Sequence, residues 1–225
     1  MKITYLQHSG FAVEFDNFAV LFDVISTPPQ MDVKKIYVLA SHSHGDHFSD
    51  TIFSLSNHYD ATFILSDDIE LTATQKTDQV FFVSENNNYD FEDFQLRVFG
   101  STDLGVSFYV ETKETTLFHS GDLNWWHWYD DTDENNRAME EQYKKYIAQL
   151  SGLSIYAAFL PVDSRLQNAY DYGLRYFIDN VHPNIVIPMH FWNDFASIKK
   201  LPAQFGTDNL KVLSIHHDNE VIYNS

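Results

Sequence analysis

The sequence predicts a protein of the α+β class with a large sheet. Short strand-like runs recur along the whole chain, and two of them, 37–40 and 185–187, are continuously apolar, as centrally buried strands are. Longer segments with helical spacing lie between these runs. Strands are predicted at 3–6, 11–15, 19–22, 36–40, 62–65, 80–83, 94–99, 106–111, 115–119, 156–160, 185–187, 212–215 and 221–223.

Four segments carry a helical pattern. Residues 46–59 place apolar side chains at helical spacing, and 134–150 has an acidic start, one apolar stripe and lysines toward its end. Helices are also predicted at 170–180 and 195–205, with Pro202 ending the last one early. No linker, repeat or low-complexity segment interrupts the pattern. We therefore predict a single domain over residues 1–225.

Composition limits the classes of function. The chain has 14 Lys and Arg against 32 Asp and Glu, a formal charge of −18, and no basic segment. Because nucleic acid is held largely by phosphate contacts, we expect no nucleic-acid partner and a small-molecule substrate instead. With no cysteine, disulfides and thiolate ligands are excluded. The first residues run directly into a strand pattern, so we expect no signal peptide, no membrane span and a cytoplasmic location; the oligomeric state is left open.

The most informative motif is Ser-His-Ser-His-Gly-Asp-His at 41–47, directly after the apolar run 36–40. Imidazole nitrogens and a carboxylate at the end of a strand are donors that zinc, iron or manganese selects. Alternation places His42, His44 and Asp46 on one side, whereas His47 points elsewhere and can reach a second ion. The alternative is a histidine-rich surface loop, which the regular spacing disfavours.

This motif resembles the signature of the metallo-β-lactamase superfamily, His-x-His-x-Asp-His at the end of a strand. The opening segments 3–14 and 20–23 are similar to the first strands of its small lactonase-like branch. Gly121-Asp122, after the run 115–119, matches an aspartate that bridges two ions, and Pro188-Met189-His190 matches the last histidine ligand. The resemblance implies a four-layer αββα sandwich with the site at one edge, between the sheets.

The resemblance also implies a ligand set. The first ion takes two histidines of the motif and a third from a Gly-His-Thr segment. The second ion takes the motif's last two residues and the final histidine, and an aspartate bridges the pair. The implied ligands in this chain are His42, His44, Asp46, His47, Asp122 and His190.

One position departs from that pattern. Where Gly-His-Thr is expected, the chain reads Gly100-Ser101-Thr102-Asp103, so Ser101 stands at the position of the third histidine. A neutral hydroxyl is a poor ligand, although Asp103 could supply an oxygen instead. Three outcomes follow: one ion in the second site, two ions of unequal affinity, or two ions with Asp103 recruited. We favour one strong site, with zinc as the first choice and manganese or iron as alternatives.

The implied function is a metal-dependent hydrolase that uses metal-bound hydroxide on a small ester, lactone or phosphoester. Asp46 is the predicted catalytic residue, orienting the water and accepting its proton. One alternative is a phosphodiesterase or nuclease of the same fold, which the acidic charge disfavours. Another is a non-catalytic metal- and ligand-binding protein whose first site is degenerate.

An aromatic segment, 124–129, directly follows the bridging aspartate and suggests a substrate pocket. The alternative is that these rings simply cover the sheet. The predicted substrate-binding residues are Asn124, Trp125, His127, Trp128 and Trp192. Two further histidines are left open: His8 could reach the pocket or stabilise a turn, and His119 could support a ligand or be structural.

Overall fold

The computed structural model describes residues 1–225, and fourteen strands form two sheets of seven. The strands are β1 Lys2–Gln7, β2 Gly10–Glu14, β3 Phe18–Phe22, β4 Lys35–Ala40, β5 Asp60–Ser66, β6 Val80–Val83, β7 Asn88–Asp90, β8 Phe94–Gly100, β9 Val106–Thr112, β10 Thr116–His119, β11 Ala157–Pro161, β12 Ile185–Met189, β13 Lys211–Val212 and β14 Glu220–Asn224. The predicted strands are all present within one or two residues, except that 212–215 shortens to β13. The sequence also missed β7, which begins in a segment rich in asparagine.

The two sheets are built alike. The first has the order β14-β1-β2-β3-β4-β5-β6 and the second β13-β12-β11-β10-β9-β8-β7. Strands β3 to β6 are parallel neighbours in the first sheet, and β10 to β13 are parallel neighbours in the second. The remaining pairs are antiparallel, and all of them are hairpins except β1 with β14, which joins the two ends of the chain.

The helices are α1 Asp133–Ala148, α2 Tyr172–Val181, α3 Phe195–Ile198 and α4 Leu201–Phe205, with 3₁₀ helices at Asp50–Asn57 and Ser164–Ala169. Two predictions need correction. The helix predicted over 46–59 is only the first of these 3₁₀ helices. The helix predicted over 195–205 divides before Pro202, which lies in the first turn of α4, where its missing N–H costs little.

Alternation along the strands of the first sheet divides its side chains between two cores. Tyr5, Phe22 and Leu39 belong to the large cluster shared with the second sheet. Leu21 and Val38, one residue away, join the smaller cluster beneath the 3₁₀ helix Asp50–Asn57. The helices α1 and α2 add side chains to the core of the second sheet. The predicted four-layer sandwich is confirmed, with a 3₁₀ helix in one outer layer.

This topology makes one edge of the sandwich chemically distinct. In the first sheet β1, β3 and β4 run in the same direction, and in the second β8, β10, β11 and β12 do so. Loops at the carboxyl ends of such strands are the usual place for a site in α/β sheets. No helix in the structure has the length and apolar character needed to cross a bilayer.

Candidate metal centre

The potential ligands converge on this edge, each just beyond a strand end. Two groups of side chains each bring their nitrogen and oxygen atoms within 4.8 Å of one another. One group is His42, His44 and Asp122, and the other is His8, Asp46, His47 and His190. The structure therefore brings together all six of the ligands implied by the resemblance, and it adds His8.

Asp122 lies between the two groups. Its Oδ1 is 3.2 Å from Nε2 of His47 and 3.5 Å from Nε2 of His190. Its Oδ2 is 3.6 Å from Nε2 of His42. Gly121 allows Asp122 to reach this position. Its φ of +51° turns the chain, and a Cβ at this residue would lie 2.7 Å from a backbone oxygen, so a larger residue would not fit. One carboxylate thus faces both groups, which is the geometry that a bridging ligand needs.

Asp23 fixes the orientation of two histidines from behind. Nδ1–H of His47 donates to Oδ2 of Asp23 over 2.7 Å. The hydroxyl of Ser41 donates to the same oxygen over 2.8 Å and accepts from Nδ1 of His42 over 3.0 Å. Both rings are therefore held with Nε2 free and directed at Asp122. This is the carboxylate–histidine arrangement found behind many metal ligands.

Asp163 plays the same part for the last histidine. Its Oδ2 lies 3.2 Å from Nδ1 of His190 and also accepts from Nε1 of Trp192 over 3.3 Å. The Asp163 side chain is completely buried, and its carboxylate additionally pairs with Arg165. His190 is thereby oriented with Nε2 toward Asp122.

The donor atoms fit a divalent ion. Nε2 of His8, His42 and His47 and Oδ1 of Asp122 are buried without a hydrogen-bond partner in the chain. Such atoms are costly to bury unless they bind something, and neutral imidazoles with carboxylates suit zinc, iron or manganese. Burial alone would lower the pKa of His47, but the charges of Asp23 and Asp122 raise it to about 10. A cation is therefore favoured at this position, whether a proton or a metal ion.

The carboxylates are ionised in the same environment. Burial would raise the pKa of Asp122, but the adjacent His47, His190 and His42 hold it well below its usual range. The proximity of His8, whose Nε2 lies 3.3 Å from Oδ2 of Asp46, lowers the pKa of Asp46, against the opposing effect of burial. Asp46 is also the least buried member of its group and lines the adjacent cavity. It is therefore placed to contact both an ion and a substrate.

The segment that the resemblance aligns with the third histidine, 100–103, lies beside the two groups without joining either of them. Ser101 is buried, and its hydroxyl accepts a hydrogen bond from the backbone N–H of Asp103 over 3.3 Å. Ser101 does not line the cavity, whereas Thr102 and Asp103 do. Neither Ser101 nor Asp103 is within the first group of ligand atoms, which holds three members against four in the second.

A cavity of about 320 Å³ opens beside the two groups. Its lining residues are His44, Asp46, Thr102, Asp103, Asp122, Trp126, Trp128, Met139, Arg165, His190 and Trp192. Trp128 and Trp192, both predicted to bind substrate, are among them. Trp126 joins them because its Nε1–H donates to the backbone oxygen of Asp122, which turns the ring toward the site.

The structure places the other three predicted substrate residues elsewhere. The hydroxyl of Thr102 accepts from the backbone N–H of Asn124 and donates to its backbone oxygen, and Asn124 does not line the cavity. Trp125 packs against tyrosines of α1 and α2, and His127 lines a separate cavity. The ring of His119 is buried, its Nε2–H donates to the backbone oxygen of Ser9, and its Nδ1 accepts from the backbone N–H of Gly121, next to Asp122.

Several residues that shape this site carry little signal in the sequence. Asp23 directly follows β3, and Asp163 and Arg165 belong to a short polar run after β11, without a repeated spacing. For His8 the sequence leaves two alternatives open, a position in the pocket or a role in stabilising a turn. A polar residue directly after a strand that runs toward the motif edge is a signal that could have identified His8 and Asp23, whereas Asp163 and Arg165 lie further from the end of β11.

Comparison with known proteins shows what this chain is similar to. A protein of Nanoarchaeum equitans named UPF0173 metal-dependent hydrolase is 27% identical over 219 residues, which is 91% of this chain and 90% of that protein. No family model matches the chain. Among solved structures, Igni18, a metallo hydrolase from the archaeon Ignicoccus hospitalis, aligns with a TM-score of 0.70 at 18% identity, covering 98% of this chain and 97% of that one.

The fold comparison extends to a protein of Bacillus subtilis. YhfI, described as a metallo-β-lactamase fold protein, aligns with a TM-score of 0.64 at 10% identity over 99% of both chains. The chain therefore has the metallo-β-lactamase fold, as the motif spacing predicted.

Proposed function

We propose that this chain is a metal-dependent hydrolase of small ester-like compounds, which include esters, lactones and phosphoesters. The observation that supports this most directly is the set of buried, unpartnered Nε2 atoms that face the Asp122 carboxylate. Curated relatives that align over nine-tenths of the chain bear the name metal-dependent hydrolase. The adjacent cavity offers room for a small substrate.

The two groups of ligands would differ in affinity. His8, Asp46, His47 and His190, with Asp122, offer five donors for one ion, whereas His42, His44 and Asp122 offer three for the other. We therefore propose a tight ion in the four-residue group and a weaker one in the three-residue group. Zinc is our first choice, and manganese or iron would suit the carboxylate-rich site.

A bound ion supplies an acidified water and a Lewis acid at neutral pH. Around it, Asp46 faces the cavity and would orient the water and accept its proton. The water oxygen forms a bond to the carbonyl carbon or phosphorus, and the bond to the leaving oxygen breaks. The proton held by Asp46 then passes to that leaving oxygen. Asp122, positioned by Gly121, faces both groups and would hold the two sets of ligand atoms at a constant distance from each other.

Elemental analysis combined with turnover tests this proposal. The purified protein should contain one or two equivalents of a transition metal and should hydrolyse a 4-nitrophenyl ester, with loss of activity on chelation and recovery on adding zinc. Asp122→Asn should lose metal and activity together, whereas Asp171→Asn, which alters a buried carboxylate outside the centre, should lose neither. Faster cleavage of bis(4-nitrophenyl) phosphate than of any ester would support the phosphodiesterase alternative. Tight metal binding without turnover of either substrate would indicate a binding protein.

A further inference from the structure

Arg165 is the one arginine, and there is no lysine, in the lining of the cavity beside the metal centre. Eleven residues line this cavity, and no other is a lysine or an arginine. Three of its neighbours in the lining, Asp46, Asp103 and Asp122, are carboxylates. The proposed ion ligands account for two of these carboxylates, but nothing in the proposed reaction so far uses the cation.

The guanidinium is held rigidly at one edge. Its Nε–H donates to both oxygens of Asp163 over 2.9 Å, and Nη2 donates to the same carboxylate. The Cζ atom of the guanidinium lies 4.6 Å from the ring centroid of Trp192 and 5.5 Å from the ring centroid of Trp128. A cation between a buried carboxylate and two indole rings has little freedom to reorient.

The other edge of the guanidinium is free. Nη1 makes no hydrogen bond within the chain, and the side chain of Arg165 is 47% exposed. An arginine carries five N–H donors, and Asp163 engages only two of the nitrogens. The remaining donors form the planar fork that matches a carboxylate or phosphate group.

Asp163 also couples this cation to the metal centre. The same Oδ2 atom that accepts from Arg165 lies 3.2 Å from Nδ1 of His190. The position of the guanidinium is thereby fixed relative to a metal ligand. Trp126 and Trp128, stacked with centroids 6.2 Å apart, form an apolar wall of the same cavity.

We propose that Arg165 binds an oxyanion of the substrate, so that the hydrolase acts on small compounds carrying a carboxylate or phosphate besides the scissile bond. This inference rests on the proposed hydrolytic function. The reacting group lies at the ion, the apolar part of the substrate contacts the tryptophan wall, and the anion pairs with Nη1. The chain as a whole carries a net charge of −18, but the arginine places a positive charge inside this cavity, and this local charge favours an anionic substrate.

Two matched substrates test this specificity. Mono(4-nitrophenyl) succinate carries a free carboxylate, and its methyl ester is neutral with the same leaving group. We expect the protein to prefer the anionic ester at least tenfold in kcat/KM, after correction for their uncatalysed rates. Arg165→Met should reduce this ratio to near one, and Arg165→Lys, which keeps the charge without the fork, should retain part of it.

Arg97→Met is the matched control. Arg97 also pairs with a carboxylate, Glu111, and lies over an aromatic ring, Tyr109, but it is outside the cavity. The ratio of kcat/KM for the anionic ester to that for the neutral ester should be the same in Arg97→Met as in the unaltered protein. A ratio that survives Arg165→Met, or that falls equally in Arg97→Met, would overturn the inference.

A binding measurement separates this inference from the hydrolytic proposal. Calorimetry on the zinc-treated protein should show succinate binding at least tenfold more tightly than monomethyl succinate, with the difference abolished in Arg165→Met. Zinc content should be the same in both proteins, since Arg165 is not a ligand. If neither ester is hydrolysed, the proposed function fails, and the succinate comparison still decides whether Arg165 binds an oxyanion. If both esters are hydrolysed equally and succinate shows no preference, only the specificity is wrong.

Discussion

Replacement of Asp23 by asparagine tests how the histidine cluster is oriented. Asp23 is fully buried and accepts hydrogen bonds from Nδ1 of His47, the backbone N–H of Ser41 and the Ser41 hydroxyl, all between 2.7 and 2.8 Å. Asparagine preserves the shape and tolerates the φ of +45° found here. However, it has one acceptor oxygen instead of two and no charge. At least one of these donors therefore loses its partner.

The expected consequence is weaker metal binding. Loss of a carboxylate that orients metal ligands typically lowers affinity about 10- to 100-fold, or roughly 1.4–2.8 kcal/mol. Both ions should be affected, because Asp23 orients His47 directly and His42 through Ser41. Competition for zinc with a chromophoric chelator measures this loss, and Asp171→Asn provides a control at a buried carboxylate away from the cluster. Equal zinc affinity in Asp23→Asn and the unaltered protein would refute the assigned role.

The metal-free protein provides a second readout through pH. Burial opposes the charge on His47, but Asp23 and Asp122 together raise its pKa to about 10, against about 6.5 in an unfolded chain. A raised pKa gives stability that is complete below pH 6.5 and is lost as the pH rises toward 10. Removing one partner of a buried ion pair costs about 3–5 kcal/mol. Urea unfolding should therefore show stability falling between pH 7 and 10, with a smaller slope in Asp23→Asn; parallel profiles would contradict this.

Three further predictions concern single side chains. His8→Asn, which tolerates the φ of +49°, should weaken the tighter ion about tenfold or more in a zinc titration, and unchanged affinity would exclude His8 as a ligand. Phe159→Ala removes a fully buried ring and should lower the free energy of unfolding, measured with urea, by about 3–5 kcal/mol. Phe81→Ala removes a ring that is 44% exposed and should lower it by less than about 1 kcal/mol. Similar losses in the two variants would contradict the assigned core. Burial would raise the pKa of Glu220, but hydrogen bonds from His216 lower it. Glu220→Gln should therefore reduce the free energy of unfolding by about 1 kcal/mol at pH 7, and by progressively less as the pH falls below about 4.3. A difference between the two proteins that is independent of pH would refute this pairing.

The sequence was most informative where several signals lie close together. Continuous apolar runs identified β4 and β12, and seven consecutive residues after β4 identified the metal motif. The chain's return to the same edge at Asp122 and His190 was predictable only through the family resemblance. Spacing along the chain carries no information on which strand ends meet in space.

Residues that depend on a local turn were harder to predict. Trp125 and Trp126 are adjacent and chemically alike, yet one packs against helical tyrosines and the other faces the site. Thr102, a residue of another loop, holds the backbone of Asn124 just before them, and Nε1–H of Trp126 donates to the backbone oxygen of Asp122. Asp163 is similar, because its importance follows from contacts with His190 and Arg165 that form only after folding.

The backbone explains why these turns escape prediction. His8, Asp23, His190 and Trp192 all have positive φ, between 45° and 59°, and each lies within three residues of a strand end at the metal edge. Such conformations cost a non-glycine residue about 1–3 kcal/mol and persist only where the surroundings enforce them. Here the enforcing contacts are the hydrogen bond from His190 N–H to the His8 oxygen and the buried carboxylates. Since these contacts lie within the chain, the strained turns are maintained by the fold itself, and the histidines are oriented before an ion binds.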